Sequence, residues 1–326
     1  MVPDAATVAA VFAPRLADLI APHALSLLVA PAEYRPGDLA RAAMDELHGR
    51  DGYRSVRVPE DIPELLQALA ERDPVIVEVV NDSFEVVDAM RVEITRHLGV
   101  LPSVERLVAV LVTDTIPDHV SDQPFTLVLD HRDLAATRDE VAATVPDIRG
   151  QAMLIGRVLN HTGGAAGLLH ITDPESVGYP ERVVQASIPW AERIHDEVTA
   201  DDRLRTLLWC GRIATDTLAT VLGELTGQRP SLSDLEALRG LPYVTAPAHL
   251  PPGLPRGLSV ALQRLALERD PESTAALCRS LSGLVVTNER IRATDRILLA
   301  TTLRDWEAIN SILASKGYLL ALAERE

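Results

Sequence analysis

The chain of 326 residues is poor in lysine, cysteine and aromatic residues. Of its 31 Lys and Arg residues only Lys316 is a lysine, so no lysine lies near any segment that could bind phosphate. Two cysteines, Cys210 and Cys278, are too few for a disulfide framework, and both sit in apolar helical patterns that are typical of reduced core thiols. With only 3% aromatics, the core must be built from Val, Leu, Ala and Ile.

The sequence also lacks long apolar runs and an excess of positive charge. No apolar run reaches 18 residues, and the N-terminal segment has acidic residues and no basic n-region, so we expect a cytoplasmic protein without a membrane span. Its formal net charge is −16. Since binding to nucleic acid depends on basic residues that neutralise phosphates, we expect no direct contact with nucleic acid.

Signatures of metal sites and of serine hydrolases are missing. The nine histidines include no His-Glu-x-x-His pattern and no Cys/His pair at metal spacing. No Gly-x-Ser-x-Gly motif is present either. We therefore expect no metal ion, no cofactor and no hydrolase chemistry of the serine type.

Short apolar runs and helical segments alternate in the first 130 residues. The runs cover residues 25–30, 53–58, 75–80, 107–113 and 125–130. Continuous apolar runs are typical of strands buried on both faces, and the segments between them, 36–49, 62–72 and 83–98, have helical spacing. The pattern predicts a doubly wound three-layer unit with a parallel sheet.

Helical patterns dominate the remainder of the chain. They cover residues 138–145, 148–162, 180–197, 202–225, 259–268, 271–283, 291–303 and 306–324, and a Pro/Gly-rich connector occupies 246–257. We predict an α/β fold followed by an all-α region, divided into residues 1–132, 133–178, 179–246 and 247–326.

Helix starts can be located from local sequence. Thr137 precedes Glu140 by three residues, which predicts a capping box, and Asp201 or Asp202 can cap the helix that follows. Gly163 and Gly164 predict a helix end. Residues 130–133, Asp-His-Arg-Asp, follow the fifth predicted strand and form either a helix-capping turn or a ligand site at the edge of the sheet.

Three segments of the first 114 residues carry a resemblance to a known family. They read LLVAPAEYRPGDL at 27–39, VEVVNDSF at 77–84 and LPSVERLVAVLVTD at 101–114. In this order they resemble the phosphate loop, the acidic strand end and the sensor strand of MalT/LuxR-type transcriptional regulators, which belong to the STAND class of P-loop ATPases. The resemblance implies a P-loop-like nucleotide domain.

The first segment departs from the family loop, A-P-A-G-Y-G-K-T-T-L, at its chemical positions. Glu33 and Arg35 replace glycines, Pro36 replaces the lysine, and Gly37 replaces the magnesium-binding threonine. A P-loop needs converging N–H groups, a lysine and a hydroxyl, so this loop is predicted to be vestigial. Its residues are Glu33, Tyr34, Arg35, Pro36, Gly37 and Asp38.

The other two segments have also lost family residues. Asn81 stands in place of the metal-linked aspartate, and Asp114 stands in place of the sensor arginine. Asp82 is retained and has two interpretations, a residual water-activating carboxylate or an N-cap for the helix after Ser83.

Later segments resemble the rest of the same switch module. Asp133-Leu134, residues 137–140 and residues 161–167 resemble the family's D-L-x-F-T-x-E-E helix and T-G-G-W-P motif, which imply a helical lid. Residues 207–227 and 231–244 resemble its winged-helix region. The chain is thus identified as the switch part of such a regulator, with a C-terminal helical segment.

The sequence leaves three functions open. The leading hypothesis is a non-catalytic regulatory module, a pseudo-ATPase that acts in transcription through a protein partner, either a DNA-binding regulator or a second copy of itself. In the second, ATP is still bound and hydrolysed, with Arg35 or Arg41 in place of lysine and Asp82 as base. In the third, the crevice near residues 30–36 and Asp114 binds a small ligand less anionic than a nucleotide, and the acidic Glu33 favours a cationic or neutral one.

Overall fold

The computed structural model describes residues 5–58, 60–79, 106–114, 127–171, 174–245 and 251–314. The chain forms two compact units, Met1–Tyr179 and Pro180–Glu326. The first unit contains a parallel sheet with helices, and the second is helical in the residues described. The predicted order of an α/β region followed by an α-helical region is therefore confirmed.

The first unit is built on a five-stranded sheet in which every pairing is parallel. The strands are β1 (Leu25–Ala30), β2 (Arg54–Val58), β3 (Val75–Val79), β4 (Leu107–Val112) and β5 (Leu127–Leu129), in the spatial order β2-β3-β4-β1-β5. Each coincides with one of the apolar runs, although Val80 and residues 125–126 lie outside the described residues. Continuous apolar runs mark these strands because both faces of the sheet are covered.

The helices of the first unit cover the sheet and each other. They are α1 (Ala5–Ile20), α2 (Pro36–His48), α3 (Ile62–Glu71), α4 (His131–Leu134), α5 (Arg138–Thr144), α6 (Ala152–Thr162) and α7 (Ala166–Leu169). On one face of the sheet, α3 packs against Val56, Val77 and Ala109. Helix α2 contacts β1, β3 and β4, and α1 packs against α2.

The order of the strands determines which face of the sheet each helix covers. From β1 the chain passes β4 and β3 to reach β2, and it then returns one place to β3. Right-handed crossovers that travel in opposite directions put their helices on opposite faces, so α2 and α3 sandwich the sheet. The connections from β1 and β4, which are neighbours, also leave in opposite directions. This makes the carboxyl ends of β1 and β4 a topological switch point.

The second unit is a set of helices joined by short turns. They are α8 (Tyr179–Ala200), α9 (Asp202–Cys210), α10 (Thr215–Thr226), α11 (Leu232–Ala237), α12 (Arg256–Arg269), α13 (Pro271–Thr287), α14 (Ala293–Leu303) and α15 (Trp306–Ala314). Polar contacts tie distant helices together: Thr217 on α10 donates to the buried Asp295 carboxylate on α14 at 2.5 Å. Arg264 on α12 pairs with Glu181 on α8 at 2.7 and 2.6 Å.

An antiparallel bridge joins Thr245 to Gly253, with N–H to O distances of 2.9 and 3.0 Å. Arg212 holds this bridge by donating to the carbonyls of Thr245 and Pro251 at 3.2 and 3.3 Å. Gly253 is needed here, because a Cβ at its position would lie 2.4 Å from Cγ of Arg212.

Two predicted helices were wrong in their extent, and glycines explain both. The helix predicted over 202–225 is broken into α9 and α10 by Gly211, whose φ of 68° and ψ of −150° are not helical. The helix predicted over 148–162 begins only at Ala152, after Gly150 with a φ of 83°. Apolar spacing runs on across both glycines, so periodicity alone could not reveal the breaks. Residues 83–98 and 315–324 lie outside the described residues.

The local signals for helix ends are confirmed. Thr137 and Glu140 form the capping box of α5, with N–H to O distances of 3.2 and 2.7 Å. The Asp201 carboxylate accepts from the N–H of Arg203 at 2.7 Å and caps α9. Helix α6 ends at Gly163 in the left-handed conformation. No helix in the described ranges is both long and apolar enough to cross a membrane.

Arg72, which ends α3, gives a test of backbone conformation. Its φ of 65° and ψ of 25° are left-handed, a region that costs a side-chain-bearing residue about 1–2 kcal/mol. Arg72→Gly should therefore raise the free energy of unfolding by about 0.5–1 kcal/mol after the greater backbone entropy of glycine is subtracted. Arg72→Ala retains Cβ and should give no gain. Urea unfolding followed by circular dichroism measures both, and a glycine variant no more stable than the alanine variant would contradict the assignment.

Candidate functional site

The loop after β1 is closed on itself by backbone hydrogen bonds. Residues Ala32–Tyr34 form a 3₁₀ turn. The N–H of Tyr34 donates to the carbonyl of Pro31 at 3.0 Å, and the N–H of Arg35 donates to that of Ala32 at 2.9 Å. Both groups therefore point back into the loop and not towards a ligand.

The first turn of α2 continues this pattern. The N–H groups of Asp38 and Leu39 both donate to the carbonyl of Arg35, at 3.0 and 3.1 Å, and Pro36 has no N–H. Among residues 34–39, Pro36 has no N–H, and the N–H groups of Tyr34, Arg35, Asp38 and Leu39 donate to carbonyls of residues 31–35. Gly37 is the exception. A phosphate cradle requires several converging N–H groups, and this segment does not supply them.

Arg35 keeps the backbone conformation that a glycine would favour. Its φ of 52° and ψ of 50° are left-handed, and it occupies a position at which the resembled loop has glycine. Its side chain pairs with the carboxylate of Asp38. The ion pair and the neighbouring turn hold this arginine in a conformation that side chains otherwise disfavour.

Tyr34 anchors the loop in the core. Its side chain is fully buried and meets the ring of His131 edge-on, with ring centroids 6.1 Å apart. Burial, followed by the negative charges of Asp130 and Glu33, raises the pKa of Tyr34 above its usual value. Tyr34 is thus a neutral packing residue, and its aromatic ring keeps the turn against the end of β5.

A chain of ion pairs lies where α2 faces β3. Arg41 on α2 pairs with Asp38 at 2.5 Å and also with Glu78 on β3, and Glu78 accepts from Arg57 on β2 at 3.4 Å. Partial burial alone would lower the pKa of Arg41, but its hydrogen bond to Asp38 and the charges of Glu78 and Asp38 outweigh burial and raise it. Together with Arg35, the network contains three guanidiniums and two carboxylates.

Glu78 is the site residue that the sequence interpretation missed. The signal was present: a single carboxylate in the apolar run 75–80, which a strand covered on both faces accepts only when it is paired. Gly37 permits the approach, since a Cβ there would lie 3.3 Å from Oε1 of Glu78. The glycine at the family's threonine position thus makes room for a carboxylate.

These residues line a cleft of about 520 Å³ at the carboxyl ends of β1, β3 and β4. Its walls are Ala32, Arg35, Pro36, Gly37, Asp38, Arg41, Glu78, Val79, Val110 and Val112. The loop residues Arg35–Asp38 all line this cleft. The position is the switch point of the sheet, where open α/β folds bind ligands.

The remaining candidates are placed differently. Asp114 follows β4 and is not among the residues that line the cleft. Asn81 and Asp82 lie outside the described residues, and so does the predicted cap at Asp82. Glu33 lies in the loop, where its carbonyl faces α7 and its carboxylate contributes to the pKa of Tyr34.

Residues 130–133 form a capping turn, which confirms one of the two interpretations. The Asp130 carboxylate accepts from the N–H of Arg132 at 2.8 Å, and the Asp133 carboxylate accepts from the N–H of Asp130 at 3.0 Å. Burial would raise the pKa of Asp130, but hydrogen bonds from Arg132 and the neighbouring positive charges hold it below its usual range. Both carboxylates are used within the turn.

The Thr-Gly-Gly motif positions α7 against the loop. The hydroxyl of Thr162 accepts from the N–H of Gly164 at 3.1 Å, and the carbonyl of Gly164 accepts from the N–H of Ala136 at 2.9 Å. This places α7 so that a Cβ on Gly167 would lie only 2.6 Å from the carbonyl oxygen of Glu33. The motif therefore brings a short helix into direct contact with the loop.

The fold and site together define a parallel α/β domain with a charge-lined cleft at its switch point. No family model matches the chain, and a search of the curated proteins gave no match. The relation to MalT/LuxR-type regulators therefore remains a prediction from motifs. Within the described residues, no group of three His, Cys, Asp or Glu is arranged to hold a metal ion.

Two glycine-to-alanine variants test the contact between α7 and the loop. Gly167→Ala should lower the free energy of unfolding by about 1–3 kcal/mol, because its methyl group meets backbone that cannot retreat without moving the turn. Gly156→Ala, in the interior of α6 with no atom within 4 Å of the new Cβ, should stabilise by about 0.5–1 kcal/mol. Urea unfolding decides the matter, and equal effects of the two variants would disprove the close approach.

The capping turn predicts a pH dependence. Asp130→Asn keeps an acceptor for the N–H of Arg132 but removes the charge. The pKa of Asp130 is lower in the folded protein than its ordinary value of 3.8. The free energy of unfolding of the wild-type protein should therefore exceed that of the variant by its full amount above pH 3.8, and this difference should be lost as the pH falls through the lower folded pKa. Arg132 is well exposed, so the advantage at neutral pH should not exceed about 1 kcal/mol. Thermal unfolding of both proteins from pH 7 to pH 3 measures it; a difference that does not depend on pH would contradict the ion pair.

Proposed function

We propose that the chain is a non-catalytic regulatory module of the STAND type, related to MalT/LuxR-type regulators, that acts through protein contacts and not through ATP hydrolysis. One observation carries the proposal. In the loop that would cradle phosphate, the backbone N–H groups of Tyr34, Arg35, Asp38 and Leu39 are donated within the segment, and Pro36 has none.

The side chains support the same conclusion. An arginine that replaced the P-loop lysine would have to leave its carboxylate partners, and both Arg35 and Arg41 are paired with Asp38. The carboxylates of Asp38 and Glu78 would then face the phosphates of the nucleotide, and like charges repel strongly in a partly buried cleft. Arginine also lacks the compact ammonium that lysine offers to phosphate.

The order of elements in the second unit also supports the proposal of a regulatory module. Three short helices, α9, α10 and α11, are followed by the antiparallel bridge between Thr245 and Gly253. We propose that this is the winged-helix part of the switch module, and that helices α5–α7 are its lid. With a net charge of −16, we propose a protein partner in the cytoplasm, a DNA-binding regulator or a second copy of the chain.

Calorimetric titration with ATP and ADP in the presence of Mg²⁺, together with a phosphate-release assay, tests the loss of nucleotide binding. We expect no binding tighter than about 1 mM and no phosphate release above buffer, since no cradle of N–H groups is available. A small GTPase or kinase serves as positive control for the assay. Micromolar ATP binding that disappears in the double variant Arg35→Asn, Arg41→Gln would overturn the proposal and favour an atypical ATP switch.

The proposed role in transcriptional regulation requires a separate measurement in cells. Deleting the coding sequence should change a limited set of transcripts, and the wild-type chain should restore them. Because catalysis is not needed, a folded Asp82→Asn chain, which lacks the carboxylate that would act as base in an atypical ATPase, should restore them as well. An unchanged transcript profile after deletion would remove the regulatory proposal.

A further inference from the structure

The cleft at the switch point has the size and lining of a small-molecule site. At about 520 Å³ it falls among the volumes usual for ligand pockets. Its apolar part consists of Val79, Val110 and Val112 with Ala32 and Pro36. Val112 is 38% exposed although β4 lies between β1 and β3, so an apolar surface is open at the end of a central strand.

The polar part of the lining has spare donors and few spare acceptors. Asp38 is paired with both Arg35 and Arg41, and Glu78 is paired with both Arg41 and Arg57. Each guanidinium has five N–H donors, and Arg35 uses only its Nη2 in this network. Of the network residues, Arg35, Arg41, Asp38 and Glu78 line the cleft and their charges cancel, while Arg57 pairs with Glu78 without lining it. The unused groups in the lining are therefore N–H donors, and the carboxylate acceptors are occupied.

The unused donors and occupied acceptors select the chemistry of a ligand. A cationic group would need a carboxylate, and both carboxylates already bind two guanidiniums. A nucleoside triphosphate would bring several negative charges against Asp38 and Glu78. A single carboxylate matches the unused donors of Arg35 and the planar fork of a guanidinium, and an apolar body would cover the exposed Val112.

We infer that the cleft binds a small monocarboxylic acid with an apolar body, its carboxylate on Arg35 and Arg41 and its body on Val112. The inference deepens the proposed function and rests on it, since it names the chemical class of an effector for a cleft that has lost nucleotide binding. Binding would use the donors that Arg35 leaves free beside its pair with Asp38, and Arg35 is the residue that joins the loop to α2.

The test uses 4-fluorophenylacetate, followed by ¹⁹F NMR on the full chain, with the corresponding neutral amide and 4-fluorophenethylamine as comparison probes. For a probe of this size we expect a Kd of the order of 1 mM. The amide and the amine should bind at least about tenfold more weakly, since they lack the charge-assisted pair. Equal binding of acid and amide would overturn the inference.

Variants locate the bound probe. Arg35→Asn, a residue that tolerates the left-handed backbone, and Val112→Asp should each weaken binding about tenfold or more. Arg54→Gln is the matched control: Arg54 pairs with Glu71 and Asp73 at the amino end of β2, away from the cleft, and its loss should change nothing. Circular dichroism confirms that each variant is folded, and equal affinities of Arg35→Asn and Arg54→Gln would place the probe elsewhere.

The outcome also separates this inference from the proposed function. If the acid does not bind and ATP does not bind, the carboxylate site is wrong and the regulatory proposal stands. If ATP binds with micromolar affinity and the acid does not bind, both are wrong.

Discussion

The short loop between β1 and α2 satisfies its own backbone. Tyr34, Arg35 and Asp38 donate their N–H groups to carbonyls in the same segment, and the left-handed residue Arg35 turns the chain into the helix. Because these donors are used internally, the helix start has little left to offer an anion through its backbone. Recognition at this edge of the sheet must therefore come from side chains, and the ion pairs of Arg35, Arg41 and Glu78 are the side chains that the fold supplies.

The same loop organises the surrounding elements. Tyr34 fixes it to the ring of His131 at the end of β5, while Gly167 lets α7 approach the Glu33 carbonyl. On the other side, Gly37 leaves space for a carboxylate from β3. Gly167, Gly37 and the ring of Tyr34 thus determine how closely α7, β3 and the end of β5 approach the loop. This explains why segments that are distant in sequence, the loop and the Thr-Gly-Gly motif, belong to one site.

Much of the fold could be predicted because its signals are local. Continuous apolar runs gave the five strands, since strands covered on both faces need no polar alternation. Caps such as Thr137 with Glu140 were predictable because their partners are three residues apart. The break at Gly211 was not, because glycine is tolerated in many helices and only its backbone angles distinguish the cases. Glu78 was missed because its partner Arg41 is 37 residues away, and sequence spacing does not reveal which strand lies beside α2.

Because lysine is nearly absent, the cationic groups of the cleft are guanidiniums, and this determines how ligand binding would depend on pH. A guanidinium keeps its proton throughout the physiological range, and the pKa of Arg41 is raised further by its carboxylate partners. A site that attracts an anion through arginines cannot be turned off by a modest change in acidity, as a histidine site can. Its occupancy would follow the concentration of the acid, which makes the cleft suited to reporting a metabolite level and insensitive to proton concentration.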